Sequence, residues 1–257
     1  MAAPWRTAWI TGASTGIGRA LAVALAERGV KVAASARSAD KLAELARAHS
    51  GIAPLPLDVL DAAAMAEAVR SIASTLGPID LAVLNAGIWE AMSSRNFSAA
   101  KAARSMAVNY QGIVNGIEAL LPPMLERGAG HIAMVASVTG YRGLSPLTAA
   151  YAPSKAAVIN LAECLRNDLR AHGLTVSVVN PGYVATPMTS TNKFPMPYIV
   201  SAEDAARRIV RGLEKRKFEI AFPWQLAAMM KLGRLLPNRA FFWYSRTILA
   251  PPRRKGK

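Results

Sequence analysis

The 257-residue sequence predicts an α/β protein: a doubly wound, seven-stranded parallel sheet with helices on both faces and a helical appendage at the C-terminus. Two observations predict this fold. Short apolar runs alternate with longer, alanine-rich helical stretches, as in parallel sheets covered by helices. Helical stretches also end at Gly29, Gly51, Gly77 and Gly173, where C-terminal stop signals are expected. A chain of this length, 52% hydrophobic, can bury a large core.

Seven apolar runs are predicted as buried strands, with helices between them. The strands are 7–10, 31–35, 53–57, 81–84, 131–136, 175–179 and 218–222. The helices are 17–28, 39–49, 62–76, 99–125, 150–171 and 202–215. We therefore expect one domain over residues 1–223, followed by an appendage over residues 224–257.

The basic charge is concentrated near the C-terminus. The chain carries a formal net charge of +15, yet residues 205–257 hold fourteen Lys or Arg against two acids. The remainder is nearly balanced, with seventeen basic residues against fourteen acidic ones. Such an excess suggests an acidic partner, either nucleic acid or an anionic membrane surface.

Several classes of protein are not favoured. The single cysteine, Cys164, cannot form an internal disulfide and is expected to be a buried structural thiol on a helix. Neither a signal peptide nor an apolar run of about 18 residues is found. The scattered histidines give no metal site. We expect a cytoplasmic protein, with peripheral contact to a membrane left open.

A glycine-rich segment follows the first strand and opens the first helix. Its glycines allow a tight turn and let backbone N–H groups approach a pyrophosphate at the positive end of the helix. The spacing is G-x-x-x-G-x-G, and the strand and helix around it indicate a Rossmann-like dinucleotide site. The candidate residues are Gly12, Ser14, Thr15, Gly16, Ile17 and Gly18.

The end of the second strand favours NADP(H) over NAD(H). A carboxylate there would bind the adenosine ribose hydroxyls of NAD, but the sequence has Ala36 followed by Arg37. A guanidinium, with Ser14 and Ser35 as hydroxyl partners, suits a 2′-phosphate. The alternative is that Arg37 is a solvated surface charge.

Tyr151 and Lys155 lie four residues apart at the start of a predicted helix, so both project from one face. A nearby ammonium favours phenolate and would lower the pKa of the tyrosine from about 10 toward the working range of an acid or base. The alternative is a surface tyrosine beside a solvated lysine.

Together these motifs resemble the classical short-chain dehydrogenase/reductase family over residues 5–222. The resemblance also rests on Asp58-Val59, Asn85-Ala86-Gly87, Asn109, Ser137 and Pro181-Gly182 followed by Thr186. It implies a homodimer or homotetramer that pairs through the helices predicted at 99–125 and 150–171.

The resemblance also implies a role for each motif. Tyr151 would donate a proton, Lys155 would hold the nicotinamide ribose, and Ser137 would bind the substrate oxygen. Asn109 would complete a water-linked proton relay. The remaining cofactor residues would be Asp58 and Val59 at the adenine, Asn85, Ala86 and Gly87 beside the sheet, and Pro181, Gly182, Val184 and Thr186 at the carboxamide. Each has a structural alternative: a turn, a helix kink or a loop hydroxyl.

The segment after Thr186 is apolar and predicts a pocket for a lipophilic ketone or aldehyde. The candidate lining residues are Trp89, Tyr141, Tyr183, Met188, Phe194 and Met196, with Leu144, Tyr198 and Ile199 as further candidates. Alternatively, these residues only pack a lid onto the body. Lys193 is the one lid cation that could clamp a carboxylate or phosphate, and Arg142 near Ser137 is a further candidate; this scarcity of cations favours the lipophilic substrate.

The appendage predicts two short amphipathic helices separated by Pro237 and ending in a basic tail at 251–257. The first has a narrow polar stripe, Gln225, Ala228, Lys231 and Arg234, and a broad apolar face. Cationic edges beside aromatic faces suit a membrane interface. The alternatives are folding back over the pocket or a subunit interface, and nucleic-acid binding, which the interrupted basic stripe disfavours.

We therefore predict an NADP(H)-dependent oxidoreductase that reduces a carbonyl or oxidises a secondary alcohol on a lipophilic substrate. Two alternatives remain: a catalytically silent dinucleotide-binding redox regulator, and a membrane-recruited scaffold.

Overall fold

The computed structural model describes residues 3–143, 147–192 and 194–249. Its main sheet has seven parallel strands in the order β3-β2-β1-β4-β5-β6-β9, which confirms the predicted doubly wound fold. These strands are β1 (Thr7–Thr11), β2 (Lys31–Ala36), β3 (Ile52–Pro56), β4 (Leu81–Leu84), β5 (Gly130–Val135), β6 (Leu174–Pro181) and β9 (Glu219–Phe222). A second sheet pairs β7 (Val184–Ala185) with β8 (Val200–Ser201).

Helices connect the strands. They are α1 (Gly16–Ala26), α2 (Ala39–Ala48), α3 (Ala62–Thr75), α4 (Ala99–Met106), α5 (Gly112–Arg127), α6 (Tyr151–Ala171), α7 (Ala202–Glu214), α8 (Trp224–Leu235) and α9 (Asn238–Leu249). The helix predicted over 99–125 is interrupted by a π-helical turn at Ala107–Gln111. It then continues to Arg127, where Gly128 ends it with φ +64°.

Two hydrophobic cores lie on opposite faces of the sheet because successive strand residues point to opposite faces. In β1, Trp9 belongs to the core that includes Leu120, whereas Ile10 belongs to the core that includes Leu21. All eight residues of β6 are buried. Near-continuous apolar runs are therefore what the central strands of such a sheet require.

The strand order reverses between β1 and β4. These two strands pair with each other, and on their other sides β1 pairs with β2 and β4 pairs with β5. Because the strands are parallel, their carboxyl ends meet at one edge. The loops after β1, β2, β4, β5 and β6 bring Gly12, Arg37, Asn85, Ser137 and Gly182 to that edge. A switch point of this kind is where open α/β sheets bind ligands.

Two further findings concern the sequence predictions. The Cys164 thiol was expected to be buried, but it is exposed, because it lies on the side of α6 that faces away from the core. In the part of the chain that the structure describes, the helices are too short or too polar to cross a membrane. Leu144, Lys193 and the tail 251–257 lie outside the described residues.

Candidate active site

The glycine loop packs so closely that side chains are excluded from it. A Cβ on Gly18 would lie 2.3 Å from the carbonyl oxygen of Gly12. Gly12 has φ +67°, and a Cβ there would lie 2.8 Å from the Cα of Ala86. These contacts explain why both positions require glycine, and they bring the loop after β4 against the loop after β1.

Thr11 and Asn85 hold these two loops together. The backbone N–H groups of Asn85 and Ala86 donate to Thr11 Oγ1 at 3.0 and 3.1 Å. The side-chain amide of Asn85 donates in turn to the carbonyl oxygens of Thr11 and Gly12 at 3.0 and 3.2 Å. Asn85 therefore shapes the floor of the groove through its hydrogen bonds to the glycine loop.

An open groove of about 980 Å³ runs along this edge of the sheet. The predicted cofactor residues that line it are Gly12, Ser14, Thr15, Gly16, Ile17, Arg37, Asp58, Val59, Asn85, Ala86, Gly87 and Thr186. The lining residues that sequence reasoning missed are Ala36, Ser38, Leu57, Ile88, Val108 and Pro187. Gly18 lies behind the loop, and Val184 is 3% exposed, so neither lines the groove. Pro181 does not line it either; its carbonyl oxygen instead accepts a hydrogen bond from Ser137 at 3.3 Å.

One predicted hydroxyl partner for a 2′-phosphate is misplaced. Ser35 is fully buried, and its Oγ accepts a hydrogen bond from Trp9 Nε1 at 2.9 Å. Strand alternation explains the error, because Ser35 points into the core while Arg37 lies beyond the end of the strand. Ser14, Arg37 and Ser38 are among the polar residues that line the groove.

Asn109 lies in the π-helical turn between α4 and α5 and is fully buried. Its Oδ1 accepts from the Ile88 N–H at 2.7 Å, and its Nδ2 donates to the Ile88 carbonyl and to Ser154 Oγ at 3.1 and 3.0 Å. The widened turn, a feature often found at functional sites, aims this amide at the loop after Gly87 and at α6.

Lys155 is buried beside Gly87 and donates from Nζ to the carbonyl oxygen of Val135 at 2.8 Å. Burial lowers the pKa of Lys155 to about 8. Gly87 packs against both polar side chains: a Cβ there would lie 3.1 Å from Asn109 Oδ1 and 3.5 Å from this ammonium.

Tyr151 starts α6 on the same face as Lys155, and Lys155 Nζ lies 5.7 Å from the centre of its ring. The expected lowering of its pKa is not found. Burial raises the pKa of Tyr151 to about 12, although a hydrogen bond with the Ser137 side chain works in the opposite direction. The phenol thus stays protonated through the neutral range.

Ser137 follows β5 and caps a short 3₁₀ turn at Val138–Gly140. Its Oγ accepts from the Thr139 backbone N–H and hydroxyl at 3.2 and 3.0 Å. These contacts fix the hydroxyl at the wall of a cavity next to Tyr151. Thr139, which sequence reasoning missed, lines the same cavity.

This cavity, which opens to solvent, contains about 670 Å³ of space including its open mouth, and it is mainly apolar. Of the predicted pocket residues, it is lined by Trp89, Tyr183, Met188 and Phe194. The Trp89 ring meets the Tyr151 ring edge-on at 5.1 Å, and Tyr183 packs against Phe194 at 6.1 Å. Met188 also lines the dinucleotide groove, so the cavity and the groove share this wall.

Four of the predicted pocket residues that the structure describes do not line the cavity: Tyr141, Met196, Tyr198 and Ile199. The Tyr141 hydroxyl donates to the Glu219 carboxylate, which turns the ring away from Ser137. The Met196 sulfur accepts a hydrogen bond from the Asn192 amide at 3.6 Å, and Asn192 takes its place in the wall.

Comparison with known proteins decides the family. The short chain dehydrogenase profile matches residues 6–195. An uncharacterized oxidoreductase from Myxococcus xanthus is 38% identical over 241 residues, which cover 92% of this chain and 95% of that protein. The chain belongs to the short-chain dehydrogenase/reductase family.

Solved short-chain dehydrogenases have the same fold. A structure from Burkholderia cenocepacia in complex with NADP is 26% identical with a TM-score of 0.83, covering 98% of this chain and all of that one. A structure from Burkholderia phymatum in complex with NAD is 25% identical with a TM-score of 0.81, covering 96% of both chains. The protein is thus an oxidoreductase of a family whose members bind NAD or NADP.

The appendage of this short-chain dehydrogenase forms part of the cavity. Leu226 and Met230 of α8 complete its wall. One alternative for the appendage was that it folds back over the pocket. The inner face of α8 packs there in this way. In the sequence, this packing was indicated by an apolar residue at every third or fourth position of the segment.

Arg142 fixes the end of α8 instead of clamping a substrate carboxylate. Its guanidinium donates to the carbonyl oxygens of Gly233 and Leu236 at 2.6 and 2.7 Å and to Asn238 Oδ1 at 2.8 Å. It also lies 3.9 Å from the centre of the Phe241 ring. These contacts satisfy the free carbonyls that end the helix.

Glu219 at the start of β9 provides a second attachment for α8. Its carboxylate accepts hydrogen bonds from Lys231 and Tyr141 and from the Asn180 amide. Burial works to raise the pKa of Glu219, but these donors outweigh it and hold the pKa below its ordinary value. Among the described residues, His, Cys, Asp and Glu form no cluster that would hold a metal ion.

Proposed function

We propose that this protein is an NADP(H)-dependent reductase of lipophilic ketones or aldehydes that also oxidises the corresponding alcohols. One observation carries the proposal: Tyr151 and Ser137 line an apolar cavity that shares Met188 with the glycine-lined groove. A carbonyl at this junction would have a phenol and a hydroxyl on its oxygen and the groove beside its carbon.

The groove fits a dinucleotide because it is lined by the glycine loop that opens α1, where the N-terminal N–H groups of the helix favour a pyrophosphate. The glycine loop would hold the pyrophosphate, Asp58 and Val59 the adenine, and Thr186 the carboxamide. Ser14, Arg37 and Ser38 would hold a 2′-phosphate, because a guanidinium and hydroxyls are strong donors to phosphate oxygens. When bound, the nicotinamide supplies or accepts the hydride.

The proton would come from Tyr151. Burial keeps its phenol protonated, so it can donate to the carbonyl oxygen as negative charge develops there. Ser137 would position the same oxygen. Lys155 would place a positive charge behind the phenol, and Asn109 holds α6 in register through Ser154, whose hydroxyl donates to the Tyr151 carbonyl at 2.7 Å.

Steady-state kinetics with NADPH and NADH on a panel of aliphatic, steroid and quinone carbonyls test the proposal. We expect turnover with an apolar carbonyl and a higher kcat/KM for NADPH. Arg37→Ala should weaken NADPH by about tenfold or more, the worth of a charged hydrogen bond, and leave NADH unchanged. Arg47→Ala, on the outer side of α2, is the matched control. A preference for NADH would contradict the cofactor assignment.

Tyr151→Phe tests the proton donor. We expect kcat to fall by about a hundredfold or more, because general acid catalysis contributes a factor of that order. NADPH binding, measured by fluorescence titration, should persist. Tyr198→Phe removes a phenol hydroxyl that lies outside the cavity lining and should leave kcat unchanged. Binding of NADPH by the unaltered protein without turnover on any carbonyl would favour a redox regulator.

A further inference from the structure

The helices α8 and α9 have outer faces that combine exposed apolar side chains with positive charge. On α8, Trp224, Leu232 and Leu235 are 71%, 64% and 80% exposed. Their spacing of eight and eleven residues places all three on one side of the helix. The opposite side carries Leu226 and Met230, which are 6% and 5% exposed and line the cavity.

The second helix adds further exposed side chains next to α8. Phe241 is buried beside Gly233 of α8, so the two helices contact each other. Phe242 is 54% exposed. Arg239 and Arg246 are exposed and seven residues apart, so they lie on one side of α9, and Phe242 lies next to that side. We call Trp224, Leu232, Leu235, Phe242, Arg239 and Arg246 the outer face.

The charge around the outer face is of one sign. From residue 220 to the C-terminus the sequence contains eight Lys or Arg and no Asp or Glu. The two preceding acids are already engaged, Glu214 with Arg28 at 3.8 Å and Glu219 with Lys231. Within the described residues, Arg239 and Arg246 form no ion pair, so their charge remains available to an anionic partner.

We propose that the outer face binds an anionic lipid surface, with α8 and α9 lying in the plane of the interface. Large apolar and aromatic side chains at 54–80% exposure, surrounded by arginine, are the chemistry of an interfacial helix. A nucleic acid would match the charge but would leave Leu232 and Leu235 without apolar contacts. A second copy of the chain would bring the same positive charges together.

Sedimentation with lipid vesicles tests the proposal on the full chain. Vesicles of phosphatidylcholine alone are compared with vesicles in which one lipid in five is phosphatidylglycerol. We expect the protein to pellet with the anionic vesicles and to be released by 0.5 M salt, which screens charges at the surface. Failure to pellet with anionic vesicles, or equal pelleting with both kinds, would overturn the proposal.

Two sets of variants locate the contact. Arg239→Gln with Arg246→Gln should weaken partitioning by about thirtyfold, since each basic residue near an anionic leaflet contributes about a factor of five. Leu232→Ser with Leu235→Ser should weaken it comparably. The matched controls are Arg47→Gln with Arg70→Gln, and Phe97→Ser, whose ring is 71% exposed elsewhere on the molecule. Equal loss in controls and outer-face variants would overturn the proposal.

Other partners give distinct results. Light scattering that shows a dimer abolished by Leu232→Ser with Leu235→Ser, without vesicle binding, would assign the face to a second copy and overturn the proposal. Binding to a random DNA duplex, lost in the arginine variants and not matched by vesicles, would also overturn it. Reduction of a water-soluble carbonyl should be unchanged in the outer-face variants, because none of their side chains lines the cavity.

Discussion

At the residue scale, the protonation of Lys155 should make the rate of carbonyl reduction depend on pH. Burial lowers the pKa of its ammonium to about 8, whereas burial raises that of Tyr151 to about 12. The phenol therefore remains protonated while Lys155 loses its charge. We expect kcat/KM for carbonyl reduction to be flat below about pH 8 and to fall as pH rises through that value.

A pH profile from 6 to 10 measures this effect, and Lys155→Arg is the informative variant. Its guanidinium stays charged throughout this range, so its rate should be lower but should no longer fall near pH 8. A flat profile in the unaltered protein, or the same descent in the arginine variant, would contradict the assignment to Lys155.

Sequence reasoning predicted which side chains meet at the site but not their environments. The four-residue spacing placed Tyr151 and Lys155 on one face of α6, and the structure shows them there. The direction of the Tyr151 pKa shift depends on burial under Trp89 and the cavity wall, which spacing cannot reveal. Ser35 was misplaced for a related reason, since only the register of β2 decides which residues face Trp9.

At the scale of elements, Arg142 links the loop of Ser137 to the end of α8. Arg142→Ala should release the α8 carbonyls and Phe241, which loosens the helix that carries Leu226 and Met230. We expect the free energy of unfolding to fall by about 2 kcal/mol, as for lost hydrogen bonds from a charged group. KM for an apolar carbonyl should rise severalfold with less change in kcat.

Thermal denaturation and substrate saturation curves check this role. Arg142→Lys keeps the charge but loses the fork of donors, so it should recover only part of the stability. Arg95→Ala, in an exposed loop, is the control. A large fall in kcat with KM unchanged would indicate that Arg142 acts on the reaction and not through α8.

Elements were predicted well wherever glycine or proline marks their ends. The strands of the main sheet lie within one or two residues of the predicted bounds, because apolar runs bounded by turn residues define them. The π-helical turn at Ala107–Gln111 was not predicted, because the helices on both sides of it were interpreted as one continuous helical stretch. That turn nevertheless positions Asn109.

At the scale of the whole molecule, the C-terminal segment has two different faces. Sequence composition predicted an amphipathic, basic appendage, yet which face packs inward depends on contacts with Arg142 and Glu219, which are distant in sequence. The inner face completes the cavity, while the outer face remains exposed. The segment therefore lies between the proposed lipid contact and the proposed substrate site.

Removing the segment tests this integration. A chain ending at Pro223 loses Leu226, Met230 and Phe241, whose buried side chains contribute about 1.5–3 kcal/mol each as an upper bound. Their sum approaches the total stability of an ordinary domain, about 5–15 kcal/mol.

For the chain that ends at Pro223, we expect Tm to fall by about 10 °C or more and reduction of apolar carbonyls to be lost. A chain ending at Leu249 keeps both helices and should keep the Tm and the carbonyl reduction of the full protein. Should the shorter chain not fold, Leu226→Ala with Met230→Ala opens the same wall and should raise KM for apolar carbonyls. Unchanged Tm and kcat/KM in the chain ending at Pro223 would show that α8 is dispensable to the cavity.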